Sequence, residues 1–167
     1  MNSELIWITR PVSSLTCEEE SEISGFIDRA NSAEFAPFYK IFPGRRMRVT
    51  SLVNDYAGQS ILLIRDETRL AGTATLGHLE DHVTVSLLAV APEYRGRGLG
   101  AAMIDRAQSF AKMQNLKGVQ LDAIRIGRLI DFYLSLGFCE VRTVTHTPGT
   151  WGATQEFDLV TLVRPNP

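Results

Sequence analysis

The sequence predicts one α+β domain over residues 1–167: a mixed, mostly antiparallel sheet with one central parallel βαβ pair and helices on both faces. Three observations predict it. Short apolar runs broken by turn residues fill positions 60–90, the pattern of antiparallel hairpins. One amphipathic stretch, 98–114, separates the run 83–90 from the run 117–122, and a right-handed crossover makes those strands parallel neighbours. Two more strand-like runs, 138–145 and 156–163, close the chain as an antiparallel pair.

In order along the chain, Leu5-Ile-Trp-Ile8 is a first strand, ended by Pro11. Thr16-Cys-Glu-Glu19 is a capping box, with Thr16 as N-cap and Glu19 at N3. The helix behind it puts Ile23, Phe26, Ile27 and Ala30 on one face. Residues 31–44 are aromatic and proline-broken; their rings line a pocket or pack, and packing is the expectation. A second helix is expected over 46–57, ending before Gly58. Ser60–Arg65 and Leu70–Leu76 are strands joined at Asp66–Arg69, and a turn over Gly77–His82 leads into Val83–Val90. The helix over 98–114 places Met103, Ala107, Phe110 and Ala111 toward the core. A short helix over 127–136 is closed by Gly137, a C-terminal stop signal.

The 167 residues suffice for one core. Hydrophobic residues make up 44% and charged residues 22%, as in ordinary soluble domains. A net charge of −2 argues against a nucleic-acid partner, although local basic patches stand at Arg95/Arg97 and at Arg45-Arg-Met-Arg48. Two cysteines, Cys17 and Cys139, make neither a disulfide framework nor a metal site and fit a reducing cytoplasm. No run reaches membrane-spanning length, and no secretory leader is visible at the start. The expectation is therefore a cytoplasmic protein with no membrane partner and no metal.

The most informative stretch is Leu87-Leu-Ala-Val-Ala-Pro92 followed by Glu-Tyr-Arg95-Gly-Arg-Gly-Leu-Gly100. A strand ends, a glycine-rich loop follows, and a helix begins. Glycines let backbone amides approach an anion, and the helix start adds unpaired amides and the positive end of its dipole. Arg95 and Arg97 add formal charge. A P-loop is absent, and Gly96-x-Gly98-x-Gly100 misses the dinucleotide spacing by one residue.

Arg95-Gly-Arg-Gly98-Leu-Gly100, with the Val-x-Pro strand end before it, resembles the acyl-CoA loop of the GNAT superfamily of N-acetyltransferases. The order of elements resembles that family over nearly the whole chain, with specific motifs confined to 83–140. The resemblance implies acetyl-CoA as acyl donor. It implies a cofactor site at Leu88, Ala89, Val90, Arg95, Gly96, Arg97, Gly98, Leu99, Gly100, Ala101 and Tyr133. The pantetheine arm would follow Leu88–Val90, and an amide near Val90 would polarise the thioester carbonyl.

Asp131-Phe-Tyr133-Leu-Ser-Leu-Gly137-Phe138 resembles the family's second signature, which makes Tyr133 the general acid that protonates the leaving thiolate. Two positions depart from the pattern. Ile126 stands where many members carry a cofactor-contacting Asn, leaving Arg125 or Arg128 as substitutes. Thr84 stands where some members carry a basic Glu. The remaining candidates for general base are Asp122, on the following strand, or Glu80, at the turn with His78, Asp81 and His82; base catalysis through water, or substrate positioning alone, stands equally beside them.

The reading is direct acetyl transfer to an amine acceptor, small molecule or peptide, in a ternary complex. No nucleophile signature suggests an acyl-enzyme. The resemblance also allows a homodimer through the C-terminal strands. Two other readings stand beside it: a non-catalytic acyl-CoA-binding or sensor domain, which Thr84 and Ile126 favour, and a nucleotide-binding loop.

Overall fold

The computed structural model describes residues 4–34, 36–43 and 52–167. The predicted basic patch at Arg45–Arg48 lies outside them, as does the first half of the expected helix over 46–57. Among the described residues, seven strands form one sheet in the order β1-β2-β3-β4-β5-β7-β6. They are β1 Leu5–Pro11, β2 Ser60–Asp66, β3 Arg69–Leu79, β4 His82–Val90, β5 Gly118–Ile124, β6 Cys139–His146 and β7 Phe157–Pro165. The helices are α1 Cys17–Glu34, α2 Ala36–Ile41, α3 Leu52–Asp55, α4 Leu99–Met113 and α5 Leu129–Ser135. Only β4 and β5 pair in parallel, and every other neighbour is antiparallel.

Strand alternation sorts the core into two layers. On β2, Leu62 and Ile64 face the layer under α4 and α5, with Met103, Ile104 and Ala107. Ile61 and Leu63 face the layer under α1, with Ile23, Phe26 and Ile27. An apolar run with no polar positions is what a strand covered on both faces requires. The predicted face of α1 is the buried one: Ile23, Phe26, Ile27 and Ala30 are all at or below 6% exposure. Its start is the capping box read from the sequence. The Glu19 amide donates to Thr16 Oγ1 at 3.2 Å, and the Thr16 amide donates to Glu19 Oε2 at 2.9 Å. That second bond, together with Arg10, holds the Glu19 carboxyl below the usual carboxylate range. No described helix is long and apolar enough to cross a membrane.

Two boundaries differ from the sequence reading. The described part of the expected second helix is the single turn α3, followed by the turn at 56–58. The hairpin before β4 is also tighter than expected. Leu79 still pairs with His82, so only Glu80 and Asp81 turn. Gly77 is a strand residue opposite Thr84, and a Cβ there would sit 2.5 Å from Thr84 Oγ1. Its glycine serves cross-strand crowding, not the turn.

The parallel pair begins at Gly118. A Cβ on that residue would stand 2.2 Å from the Arg164 carbonyl oxygen and 2.9 Å from Pro165 Cα, both backbone atoms of β7. Gly118→Ala should therefore lower the stability of the chain by about 3 kcal/mol, the upper range for forced overpacking. Urea denaturation of the two proteins measures it, and equal midpoints would refute the contact.

Candidate functional site

The β4–β5 ladder is short. His82, Val83 and Thr84 pair with Gly118, Val119 and Gln120, and there the pairing stops. β5 stays bonded to β7 as far as Ile124, so it is β4 that turns away. The cause is a bulge. Thr75 pairs with Ser86 but Thr73 pairs with Ala89, so Leu87 and Leu88 together oppose Ala74. Leu87 takes φ 51°, a left-handed conformation that leucine rarely adopts. The extra residue reverses the facing of the strand. Val83 and Val85 lie in the α4 layer, whereas Leu87 and Ala89 lie in the α1 layer. Nothing in the residue types Ser-Leu-Leu-Ala signals this bulge.

Beyond Thr84 the two strands are the walls of a cleft of about 830 Å³. Val85–Val90 form one wall and Leu121–Ile124 the other, and the glycine loop lies at its end. The Ala91 amide donates to the Ala71 carbonyl on β3 at 2.9 Å. Because successive strand amides point to opposite edges, the Val90 amide faces the cleft.

The loop is tied down at two points. The Tyr94 hydroxyl, in the 3₁₀ turn Pro92–Tyr94, donates to Asp66 at the end of β2. Sharing its proton with that carboxylate pushes the Tyr94 pKa up. Arg95 Nη2 donates to the Ala30 carbonyl of α1 at 2.5 Å. Between and beyond these anchors, Gly96 and Gly98 hold φ 71° and 79°, with open space where a Cβ would be. Gly98 is the N-cap of α4 and has no side-chain cap. The first intrahelical bond is from the Ala102 amide to the Gly98 carbonyl at 2.9 Å. The amides of Leu99, Gly100 and Ala101 thus have no partner within the helix. This is a concentration of unused donors at a positive dipole end, suited to an anion.

The structure brings most of the predicted cofactor residues to this cleft: Leu88, Ala89, Val90, Arg95, Gly96, Gly98, Leu99, Gly100, Ala101 and Tyr133 all line it. Arg97 does not; its guanidinium lies over the Tyr94 ring, 5.1 Å from the centroid. Arg95 lines the cleft while one of its nitrogens is bonded to α1, so its charge stands on the wall beside the loop amides. Gly100 also differs from expectation. A Cβ there would lie 3.2 Å from Phe132 Cζ, so this glycine admits α5 against α4.

Tyr133 sits where α5 is closed by its own motif. The Gly137 amide donates to Leu134 at 3.0 Å, and the Phe138 amide donates to the Tyr133 carbonyl at 3.2 Å. Gly137 has φ 87°. This is a Schellman stop, which normally brings the two flanking side chains together. The Tyr133 and Phe138 rings accordingly meet edge to face at 5.6 Å. The ring is buried, at 8% exposure, on the cleft wall.

The base candidates separate. Asp122 lines the cleft, and its Oδ1 accepts from Thr161 Oγ1 at 2.6 Å. Glu80 does not reach it. Glu80 sits on the turn before His82, at the end where the β4–β5 ladder is closed. Its neighbour Asp81 is held by Lys117, which lowers its pKa, and by His82 Nδ1 at 2.7 Å. Arg125 is also engaged, with Glu140 at 2.7 Å and Asp158 at 3.6 Å, and Glu140 holds its pKa up. Arg128 lines the cleft at the N-cap of α5, while Ile126 is buried beside Phe38 and Phe157.

A family model for the acetyltransferase (GNAT) domain matches residues 57–140. No curated protein sequence matches significantly. Among solved structures, the ribosomal-protein-S18-alanine N-acetyltransferase of Escherichia coli superposes with TM-score 0.68 at 20% identity, over 96% of this chain and 94% of that one. The spermidine N-acetyltransferase of Vibrio cholerae, solved with CoA and spermine, gives 0.62 at 17% identity over 95% of each chain. Nourseothricin acetyltransferase gives 0.58 at 25% identity, over 66% of this chain and 67% of that one.

Gly98→Val fills the space before the α4 amides and strains a left-handed position. It should weaken coenzyme A binding by about 100-fold, the equivalent of one or two charge-assisted hydrogen bonds. Calorimetry on a folded variant checks this, and unchanged affinity would remove the loop from the site.

Proposed function

Since the chain belongs to the GNAT family of acetyltransferases, we propose that it transfers an acetyl group from acetyl-CoA to an amine, by direct attack within a ternary complex. The observation that carries the reading is the β4–β5 cleft ending on the uncapped N-terminus of α4. The two features suit the two parts of one ligand. The amides of Gly96–Ala101 suit a pyrophosphate, and the unpaired edge of β4 suits an amide-bearing arm.

Acetyl-CoA supplies an activated acyl carbon: the amine nitrogen bonds to it, the carbon–sulfur bond breaks, and the sulfur leaves as a thiolate. The work of this chain is to bind, orient and move protons. Leu88–Val90 offer strand-like hydrogen bonds to the donor. The Val90 amide, on the cleft edge, stabilises negative charge that develops on the carbonyl oxygen. Tyr133 gives its phenolic proton to the leaving sulfur. Asp122 receives the proton lost by the amine, directly or through water, with Thr161 fixing the orientation of the carboxylate. Thr84, at the last paired position of the ladder, has no proton-accepting role in this scheme. Solved structures named for spermidine, nourseothricin and an S18 alanine support an acceptor that is either a small molecule or a peptide.

Tyr133→Phe keeps the ring contact with Phe138 and removes only the hydroxyl. Turnover, followed as free thiol released from acetyl-CoA, should fall by about 100-fold, while coenzyme A affinity holds. Undiminished turnover excludes Tyr133 as the acid. Tight coenzyme A binding by the unaltered protein, with no thiol release for any amine, would replace catalysis with a sensor role.

A further inference from the structure

A second hollow, of about 420 Å³, lies between α1, the β2–β3 turn and the end of β4, and it shares no lining residue with the cleft. It forms where another ladder stops. Gly72 pairs with Val90 and the Ala91 amide still donates to the Ala71 carbonyl, but Pro92 has no N–H and begins the 3₁₀ turn. The two chains part there, and Phe26 of α1 joins them in lining the gap. The floor is apolar: Phe26, Leu70 and Ala91 are buried, at 6%, 7% and 4% exposure.

The walls are held in place. Arg65 donates to both Glu22 carboxylate oxygens, at 3.1 and 2.8 Å, and to the Thr68 carbonyl at 3.3 Å, which fastens the β2–β3 turn to α1. That pairing uses the charge of Glu22. Arg29, on the α1 wall, lies back along its own helix, where a Cβ on Gly25 would stand 3.1 Å from its Nη1. Of the charged lining residues, Arg69 at the start of β3 and Glu93 in the 3₁₀ turn remain. Both are exposed, and among the described residues neither enters an ion pair or a side-chain hydrogen bond. A guanidinium and a carboxylate kept apart on two walls, over an apolar floor, match the three parts of one small molecule. A carboxylate suits Arg69, an ammonium group suits Glu93, and an apolar side chain covers the floor. The hollow also touches what holds the glycine loop. Ala30, which lines it, gives its carbonyl to Arg95, and Glu93 immediately precedes Tyr94, whose hydroxyl binds Asp66 at the start of the β2–β3 turn.

We propose that this hollow binds a free α-amino acid with an apolar or aromatic side chain, and that its occupant strengthens coenzyme A binding. The site itself is independent of the acyl-transfer reading above, whereas the coupling rests on coenzyme A occupying the loop. A ligand that bridges Arg69 and Glu93 ties the β2–β3 turn to the 3₁₀ turn and so orders the anchors of the loop in advance. By reciprocity, coenzyme A tightens the amino acid by the same factor.

Amide shifts of ¹⁵N-labelled protein on titration with L-phenylalanine test the site. The dissociation constant should be about 1 mM, the scale for a ligand of that size, with the largest changes at Thr68, Arg69, Leu70 and Glu93. Arg69→Gln and Glu93→Gln, two exposed positions outside the cleft, should each raise it by about tenfold, the lower range for a charge-assisted hydrogen bond. 3-Phenylpropanoate, which lacks the ammonium group, should lose as much. With L-phenylalanine at saturation, the calorimetric affinity for coenzyme A should rise by about fivefold, and Arg69→Gln should abolish that gain. No saturable shift up to the solubility limit, or the largest shifts on Val85–Val90 and Asp122 of the cleft, overturns the site. Shifts at the hollow with unchanged coenzyme A affinity overturn the coupling. If coenzyme A itself fails to bind, the acyl-transfer reading falls, and the shifts at the hollow still decide the site.

Discussion

The site depends on a ladder that stops. Between Thr84 and Ser86 the β4–β5 pair gives up its hydrogen bonds, because the Leu87–Leu88 bulge swings β4 toward α1 while β7 holds β5 straight. Without the extra residue, β4 would continue beside β5 and the cleft would be filled by main chain. The bulge leaves strand edges facing each other across a gap that neither can close, and unpaired amides in such a place need a partner. The left-handed conformation at Leu87 is a local strain held by the packing on both faces of the strand.

The same turn of β4 delivers the loop. Pro92 begins the 3₁₀ turn, Tyr94 fastens it to Asp66, and Arg95 fastens it to α1. The start of α4 is therefore fixed relative to the strand edge by two independent polar contacts. The backbone amides of the α4 start have no partner within the helix, and the fold sets their geometry. Both arginines also touch the protein itself, Arg95 through the Ala30 carbonyl and Arg97 over the Tyr94 ring.

Much of this was legible in the sequence because the determinants were local. The capping box at Thr16, the glycine stop at Gly137, the two-sided apolar runs of the strands and the Gly96/Gly98 loop each follow from residue types at short spacing. What escaped was set by tertiary context. The bulge is made by two leucines. Gly77 and Gly100 resembled turn and loop glycines but answer to Thr84 and Phe132, residues remote in sequence or on another element. Asp122 could be separated from Glu80 only once the closed end of the ladder was known. Tyr133, read as a chemical residue through a family motif, packs the end of α5 against Phe138.

Backbone amide shifts on titrating coenzyme A into ¹⁵N-labelled protein test the central claim most directly. If the cleft and the uncapped α4 terminus act as one ligand site, the largest changes fall on the amides of Gly96–Ala101 and Val90. Saturable binding that leaves those amides unmoved, with the changes elsewhere on the sheet, would contradict it.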